Sequence, residues 1–260
     1  MKICVLSSSS SGNCIYLESN NKGYLLDCGI SSRQIEKKLS LINVNPFSIK
    51  GVFITHEHSD HISGLSSFFK KYNPTIYLSK GTYRGLKDSD KQIISPIYCK
   101  FVKAFEEFEV DNMKILPFPL SHDVYEPTGF KIEENNKSVV YLTDTGKFGY
   151  IEKLSNANMY IIESNHEKDL LLSSNRPWIL INRIMSDTGH LSNEDSAKVF
   201  SLLKGDNTSK IILFHLSNEC NTKELALLKY ETYFRKNNLS LDNVEMFVSD
   251  RSNPTPLIEV

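Results

Sequence analysis

The sequence predicts an α/β fold, a four-layer αββα sandwich with two sheets face to face and helices outside. Three observations carry this. Short apolar runs rich in Val, Ile and Tyr alternate with helix-like segments along the whole chain. Strand-like runs open each half, and strand-then-helix units follow them later. No long Pro/Gly/Ser linker interrupts the alternation. With 260 residues and 40% hydrophobic content the chain is able to bury a full core. The reading is one domain over residues 1–260, in two pseudo-symmetric halves with a boundary near residue 125.

The elements follow in order. Ile3–Leu6 and Ile15–Leu17 flank a Ser7–Ser11 run that reads as a loop with Gly12 and Asn13, and a turn at Asn20–Gly23 leads into Tyr24–Cys28. Ser31 with Gln34 three positions on is a capping-box signature for a helix through Leu41, with Ile35 and Leu39 on its apolar side. Val52–Thr55 reads as a buried strand, His61–Tyr72 as a helix and Thr75–Leu78 as a strand. From Ile93 to Pro119 the text is strand-rich. A hairpin follows, Gly129–Glu133 with Val139–Thr143, turned by Asn135–Asn136. Met159–Glu163, Trp178–Ile184 and Lys210–Phe214 read as further strands, and Ser192–Leu203 and Thr222–Arg235 as helices.

Composition excludes several classes. The formal charge of −1 argues against a protein that coats nucleic acid by charge alone. It leaves room for a nucleic-acid substrate in a cleft where bound cations supply the field. No apolar run nears the roughly 20 residues that span a bilayer, so no membrane partner is expected and the reading is cytoplasmic. Five scattered cysteines, Cys4, Cys14, Cys28, Cys99 and Cys220, form no CxxC pair. They read as buried thiols, with neither a thiolate zinc site nor a disulfide-linked partner.

The chemistry concentrates in Thr55-His56-Glu57-His58-Ser59-Asp60-His61, directly after an apolar strand. Imidazoles and carboxylates suit divalent zinc, manganese or iron, and a loop lets alternate side chains aim at different ions. Three more metal-competent residues end apolar runs: His122 after Ile115–Leu120, Asp144 after Val139–Thr143, and His215 after Ile211–Phe214. Sheet edges present such residues to a common site.

This order, HxHxDH and then His122, Asp144 and His215, resembles the metallo-β-lactamase superfamily of two-metal hydrolases, over nearly the whole chain. The resemblance implies that His56, His58 and His122 hold one ion, that Asp60, His61 and His215 hold the other, and that Asp144 bridges them. It makes Asp27, in Leu25-Leu26-Asp27-Cys28-Gly29, a buried carboxylate orienting the histidine loop. Glu163, in Ile162-Glu163-Ser164-Asn165-His166, and His190, in Thr188-Gly189-His190-Leu191-Ser192-Asn193, are similar to elements of the RNase Z-like phosphodiesterases. There the pair protonates the leaving oxygen. Asp60, Glu163 and His190 are the implied catalytic residues, while His166 reads as a surface residue.

The combined set, with Ser10-Ser11-Gly12-Asn13-Cys14 and His215-Leu216-Ser217 followed by Asn218 and Asn221, most resembles the YycJ/WalJ family of bacterial 5′-to-3′ DNA exonucleases. The serine run departs from it where a Gly is more typical. Roughly 70 residues separate Asp144 from His215, too few for the large inserted domain of RNase J-like nucleases. The resemblance implies two divalent ions (Zn, Mn or Fe) and a nucleic-acid substrate, DNA ahead of RNA. Ser192, Asn193, Ser217, Asn218 and Asn221 are candidates for holding the strand. They also read as helix caps, Ser192 having Asp195 three positions on. Lys147, Arg183, Lys210, Arg235 and Arg251 are scattered bases able to line a groove. A small-molecule phosphodiesterase or a thioester/lactone hydrolase is the alternative within enzymes, and an inactive regulatory binding protein the alternative outside them.

Overall fold

The computed structural model describes residues 1–260. The chain forms two compact units. One comprises Met1–Pro119, Val124–Phe130 and Asp250–Val260, and the other Leu120–Asp123 and Lys131–Ser249.

The first stretch runs β1 (Lys2–Ser7), β2 (Cys14–Ser19), β3 (Lys22–Leu26), α1 (Ser32–Leu41) and β4 (Ile49–Phe53). It continues through α2 (Ser59–Ile62), α3 (Leu65–Tyr72), β5 (Thr75–Ser79), α4 (Lys80–Gly85), α5 (Asp88–Ile93) and β6 (Cys99–Val102) to β7 (Phe108–Val110) and β8 (Met113–Pro119). Then come β9 (Thr128–Glu134), β10 (Lys137–Leu142), α6 (Ile151–Leu154), β11 (Met159–Glu163), α7 (Lys168–Leu172) and α8 (Trp178–Met185). The chain ends with α9 (Asn193–Leu203), β12 (Lys210–Phe214), α10 (Lys223–Lys236), β13 (Glu245–Val248) and β14 (Ile258–Glu259).

These strands make two seven-stranded mixed sheets, in the orders β14-β1-β2-β3-β4-β5-β6 and β13-β12-β11-β10-β9-β8-β7. In the first, β14, β1, β2 and β3 pair antiparallel, and β3 to β6 pair parallel. In the second, β10 to β13 pair parallel. Parallel strands are covered on both faces and so read as continuous apolar runs. All five residues of β11 are buried, as are the last four of β12. The core of the first unit gathers Leu6, Tyr16, Leu25, Val52 and Ile76 from its strands with Ile35, Leu39, Leu65 and Phe68 from its helices.

Local chemistry accounts for the expected elements. Ser31 accepts from the backbone N–H of Gln34, whose side chain accepts from the N–H of Ser31, so the capping box forms at α1. Asn135 and Asn136 both take left-handed φ angles, 51° and 62°, the geometry a two-residue hairpin turn needs. All five cysteines are free thiols. No helix is long and apolar enough to cross a membrane.

Two expectations are corrected. The helix expected over His61–Tyr72 is two helices, α2 and α3. Gly64 leaves the helical ladder to donate to the Cys28 carbonyl at 2.9 Å. It packs so closely there that a Cβ would lie 1.9 Å from the Ile30 carbonyl oxygen. The strand expected over Trp178–Ile184 is helix α8. Its Ile and Trp content suggested a strand, but its buried residues Ile181 and Ile184 lie one helical turn apart, while Trp178 and Ile179 face solvent.

Candidate metal centre

The first unit builds its donors on one short segment, His56 and His58 on the loop after β4 and Asp60 and His61 in α2. Asp27, wholly buried just past β3, is the hub. One Oδ1 accepts from the Thr55 backbone N–H at 2.8 Å, and the Thr55 hydroxyl donates to the same carboxylate. His61 Nδ1 lies 2.8 Å from Asp27 Oδ2, and His56 Nδ1 lies 3.0 Å from the Thr55 hydroxyl. An acceptor at Nδ1 fixes the proton there and leaves Nε2 with a lone pair. His56 Nε2 in turn stands 3.2 Å from His58 Nδ1, so two ring nitrogens converge on one point. Asp60 Oδ2 stands 3.5 Å from His61 Nε2.

One contributor has no role in the sequence reading. The Asn13 side-chain amide stands 3.0 Å from His61 Nε2 and donates to Asp60 Oδ2 at 3.3 Å, while its backbone N–H donates to the Asp60 carbonyl at 2.7 Å. The Gly12-Asn13 pair was visible as a turn signal, but its partner 47 residues away was not.

The second unit gathers donors one strand at a time. His122, past the end of β8, places Nδ1 3.1 Å from the Gly189 carbonyl, which again leaves Nε2 with the lone pair. Asp144, just past β10, has Oδ2 3.7 Å from His122 Nε2 and Oδ1 3.1 Å from His215 Nδ1. His215 follows β12 directly. Asp144, Glu163, His190 and His215 each offer one ligand atom, all within 4.8 Å of one another. Asp27, Asp144 and His215 all take left-handed backbones, with φ of 59°, 48° and 55°. Such conformations cost of order 1–3 kcal/mol and collect at functional sites.

Glu163 and His190 meet as the sequence suggested. His190 Nδ1 lies 3.0 Å from Glu163 Oε2; the carboxylate is wholly buried and the imidazole side chain 15% exposed. The other carboxylate oxygen accepts from the backbone N–H groups of Thr145 at 2.7 Å and Leu191 at 3.1 Å. Burial by itself would raise this carboxyl, but the facing His190 and the hydrogen bonds of His190 and His215 outweigh it and hold Glu163 down at about 2. The His190 ring stands 5.1 Å from that of His122 and 5.2 Å from that of His215.

His166 is corrected: it is buried, with no hydrogen-bond partner at Nδ1, and burial pushes its imidazole down to about 4. The loop after β11 folds inward, because the His166 carbonyl accepts from the Asn193 N–H at 2.9 Å.

Of the residues suggested for holding a strand, Asn193 and Asn221 are buried and bond each other at 2.9 Å, with Asn193 also accepting from Ser164. Ser192 caps α9 through the Asp195 N–H. Ser217 is buried and accepts from the Cys220 N–H, whereas Asn218 is exposed. Among the suggested bases, Arg183 is paired to Asp123 and Lys147 to Asp187.

The donor chemistry fits divalent cations: buried His56, His61 and His122 with Nδ1 facing an oxygen and Nε2 left for a ligand bond, carboxylates beside them, and no thiolate. Comparison with known proteins agrees. Residues 23–216 match the Beta-lactamase superfamily domain. The chain is 36% identical to exodeoxyribonuclease WalJ of Streptococcus pneumoniae, over 100% of this chain and 98% of that protein. It is 33% identical to exodeoxyribonuclease YycJ of Bacillus anthracis, over 97% of each. Among solved structures, the metallo-β-lactamase fold protein YhfI of Bacillus subtilis superposes with a TM-score of 0.72 over 98% of each chain, at 15% identity. The fold is thus the predicted α/β sandwich, and the chain belongs to the β-lactamase superfamily and, within it, to the WalJ/YycJ family.

Proposed function

We propose that this protein is a two-metal phosphodiester hydrolase that degrades DNA from the 5′ end. The observation that carries the reading is the wholly buried Glu163 carboxylate 3.0 Å from Nδ1 of His190. A departing alkoxide is a poor leaving group until it is protonated, so a phosphodiesterase needs a proton donor that a thioester hydrolase, whose thiolate leaves unaided, does not. The WalJ and YycJ relatives, both called exodeoxyribonucleases, support DNA as the polymer.

In this proposal His56, His58 and His122 would hold one ion and Asp60, His61 and His215 the other, with Asp144 as a ligand common to both. Zn(II), Mn(II) and Fe(II) all suit such ligands. When bound, the two ions supply an ionised water at neutral pH and neutralise charge on the phosphate oxygens. The chain's own residues do the rest. Asp27 and Thr55 orient the histidine loop, and Asp60 serves as ligand and as catalytic carboxylate. His190 delivers a proton to the leaving oxygen, and Glu163, 3.0 Å from its Nδ1, holds and aims that imidazole. Ser217 and Asn218 hold the strand, while Ser192, Asn193 and Asn221 shape the loops beneath it. Five free thiols suit a reducing compartment, the cytoplasm.

The test is digestion of 5′-labelled single-stranded DNA, with RNA and a thioester alongside, by the Mn(II)-loaded protein and its His58→Ala and His190→Ala variants. Stepwise loss from the 5′ end, abolished in the first variant and strongly slowed in the second, is the expected result. Indifference to every nucleic acid, with thioester turnover that ignores His190, overturns the nuclease reading.

A further inference from the structure

The first unit carries a second polar concavity whose residues the mechanism does not use. A cavity of about 490 Å³ opens between the serine loop, α1 and the C-terminal segment. Lys37, Lys38 and Arg251 line it together with serines, Gln34, Asn253 and the apolar Ile30 and Leu41, and no carboxylate does. Cations gathered in a concave wall without acids, against apolar neighbours, focus positive potential on it, and an anion completes such a site.

The three cations divide the work. Lys38 is buried, and its ammonium donates to the carbonyls of Leu6 at 2.7 Å, Ser252 at 2.8 Å and Arg251 at 3.3 Å. It is a clamp, tying the C-terminal segment to β1 and α1. The Ser7 hydroxyl adds a bond to the Arg251 carbonyl at 3.1 Å. Asp250, beside the cavity, turns its carboxylate onto the backbone N–H groups of Ser252 and Asn253 at 2.7 and 3.1 Å and so closes the turn that presents Arg251. The side chains of Lys37 and Arg251 remain exposed at the cavity.

The serine loop connects this cavity to the donor loop. Ser9, Ser11 and Gly12 line the cavity, and the next residue, Asn13, touches both Asp60 and His61. Within the loop Ser9 Oγ accepts from the Ser11 N–H at 3.1 Å, and Gly12 packs so closely that a Cβ there would lie 2.6 Å from the Gly29 carbonyl oxygen.

We propose that this cavity is a backbone subsite, where Lys37 and Arg251, with serine hydroxyls beside them, hold phosphates of the nucleic-acid strand beyond the bond being cut. The inference rests on the nuclease reading above. A chain of net charge −1 grips a polyanion through local clusters, and this one adjoins the donor loop.

The experiment measures binding of labelled single-stranded DNA to the full-length metal-free protein, which does not turn over, and to the Lys37→Ala/Arg251→Ala double variant. The variant is expected to bind roughly ten- to thirtyfold more weakly near 0.1 M salt, and its log–log salt slope to fall by about 1.4, at ~0.7 per single-strand phosphate contact. Loaded with metal, it should lose more rate on a long strand than on a dinucleotide, through KM ahead of kcat. A thermal melt matching wild type shows that the variant is folded. Equal DNA affinity for variant and wild type, with wild type still digesting DNA, overturns the subsite and leaves the nuclease reading standing. A wild type that neither binds nor cuts nucleic acid overturns both. Inorganic phosphate that displaces the strand at concentrations as low as the oligonucleotide's own overturns the strand in favour of a free small anion.

Discussion

In the first unit four metal-competent side chains arrive within six residues of one loop, His56 to His61; in the second each arrives alone, past the end of a different strand. The two arrangements need different support. The contiguous set is organised by one buried carboxylate, Asp27, reaching His61 directly and His56 through Thr55. The dispersed set relies on the parallel register of β10, β11 and β12, which brings Asp144, Glu163 and His215 to one edge. Two of those three also carry a left-handed backbone. A loop thus gets its geometry from hydrogen bonds, and a sheet edge gets it from strand register and local strain.

The comparison breaks if the two donor sets do not serve one centre. On the proposed two-metal reading, His58→Ala and Asp144→Ala, one candidate ligand from each set, should each lower kcat on DNA by about 10³-fold or more, since ions contribute several kcal/mol. Activity retained in either variant separates the sets. Chelation of wild type should match both, with activity restored on adding Mn(II).

His190→Ala is expected to lower kcat by roughly 10²–10³-fold, within the range for a lost general acid. A nitrophenyl phosphodiester, whose leaving group needs no proton, should recover most of that loss. If it recovers none, His190 is structural. Asp27→Asn sharpens the loop side: metal affinity should fall about 10–100-fold, read by competition with a chelating dye. An unchanged affinity means the loop needs no carboxylate to orient it.

The smallest expected effect concerns His166. Its imidazole is pushed by burial to about 4, below its ordinary value of about 6.5. A base depressed by folding contributes stability above its unfolded pKa and loses it as pH falls to the folded one. Wild type should therefore lose up to about 3 kcal/mol through this group between pH 6.5 and pH 4. Urea unfolding of His166→Gln across that window should show a correspondingly flatter profile, and identical slopes would exclude the assignment.

The sequence was informative where chemistry is local. The capping box at Ser31, the Asn135–Asn136 turn and the HxHxDH loop each depend on residues close in the chain, so their signals survive without a fold. Single donors such as His122 and His215 are ordinary residues in isolation; only the motif before them and their position after apolar runs mark them. Apolar content misled at Trp178–Ile184, because Trp and Ile favour strands while the helical spacing of the buried Ile181 and Ile184 is short and is flanked by exposed Trp178 and Ile179.

What the sequence by itself determined is the alternation of elements and which residues are candidate metal donors, because periodicity and ligand chemistry are properties of residue types. What only the tertiary structure decided is which partner each donor meets. Asn13 reaches Asp60, Asn193 reaches Asn221, His166 turns inward, and Lys38 clamps the C-terminal segment, each across a long stretch of chain. Those pairings follow from strand register and packing, which the linear spacing of residues does not encode.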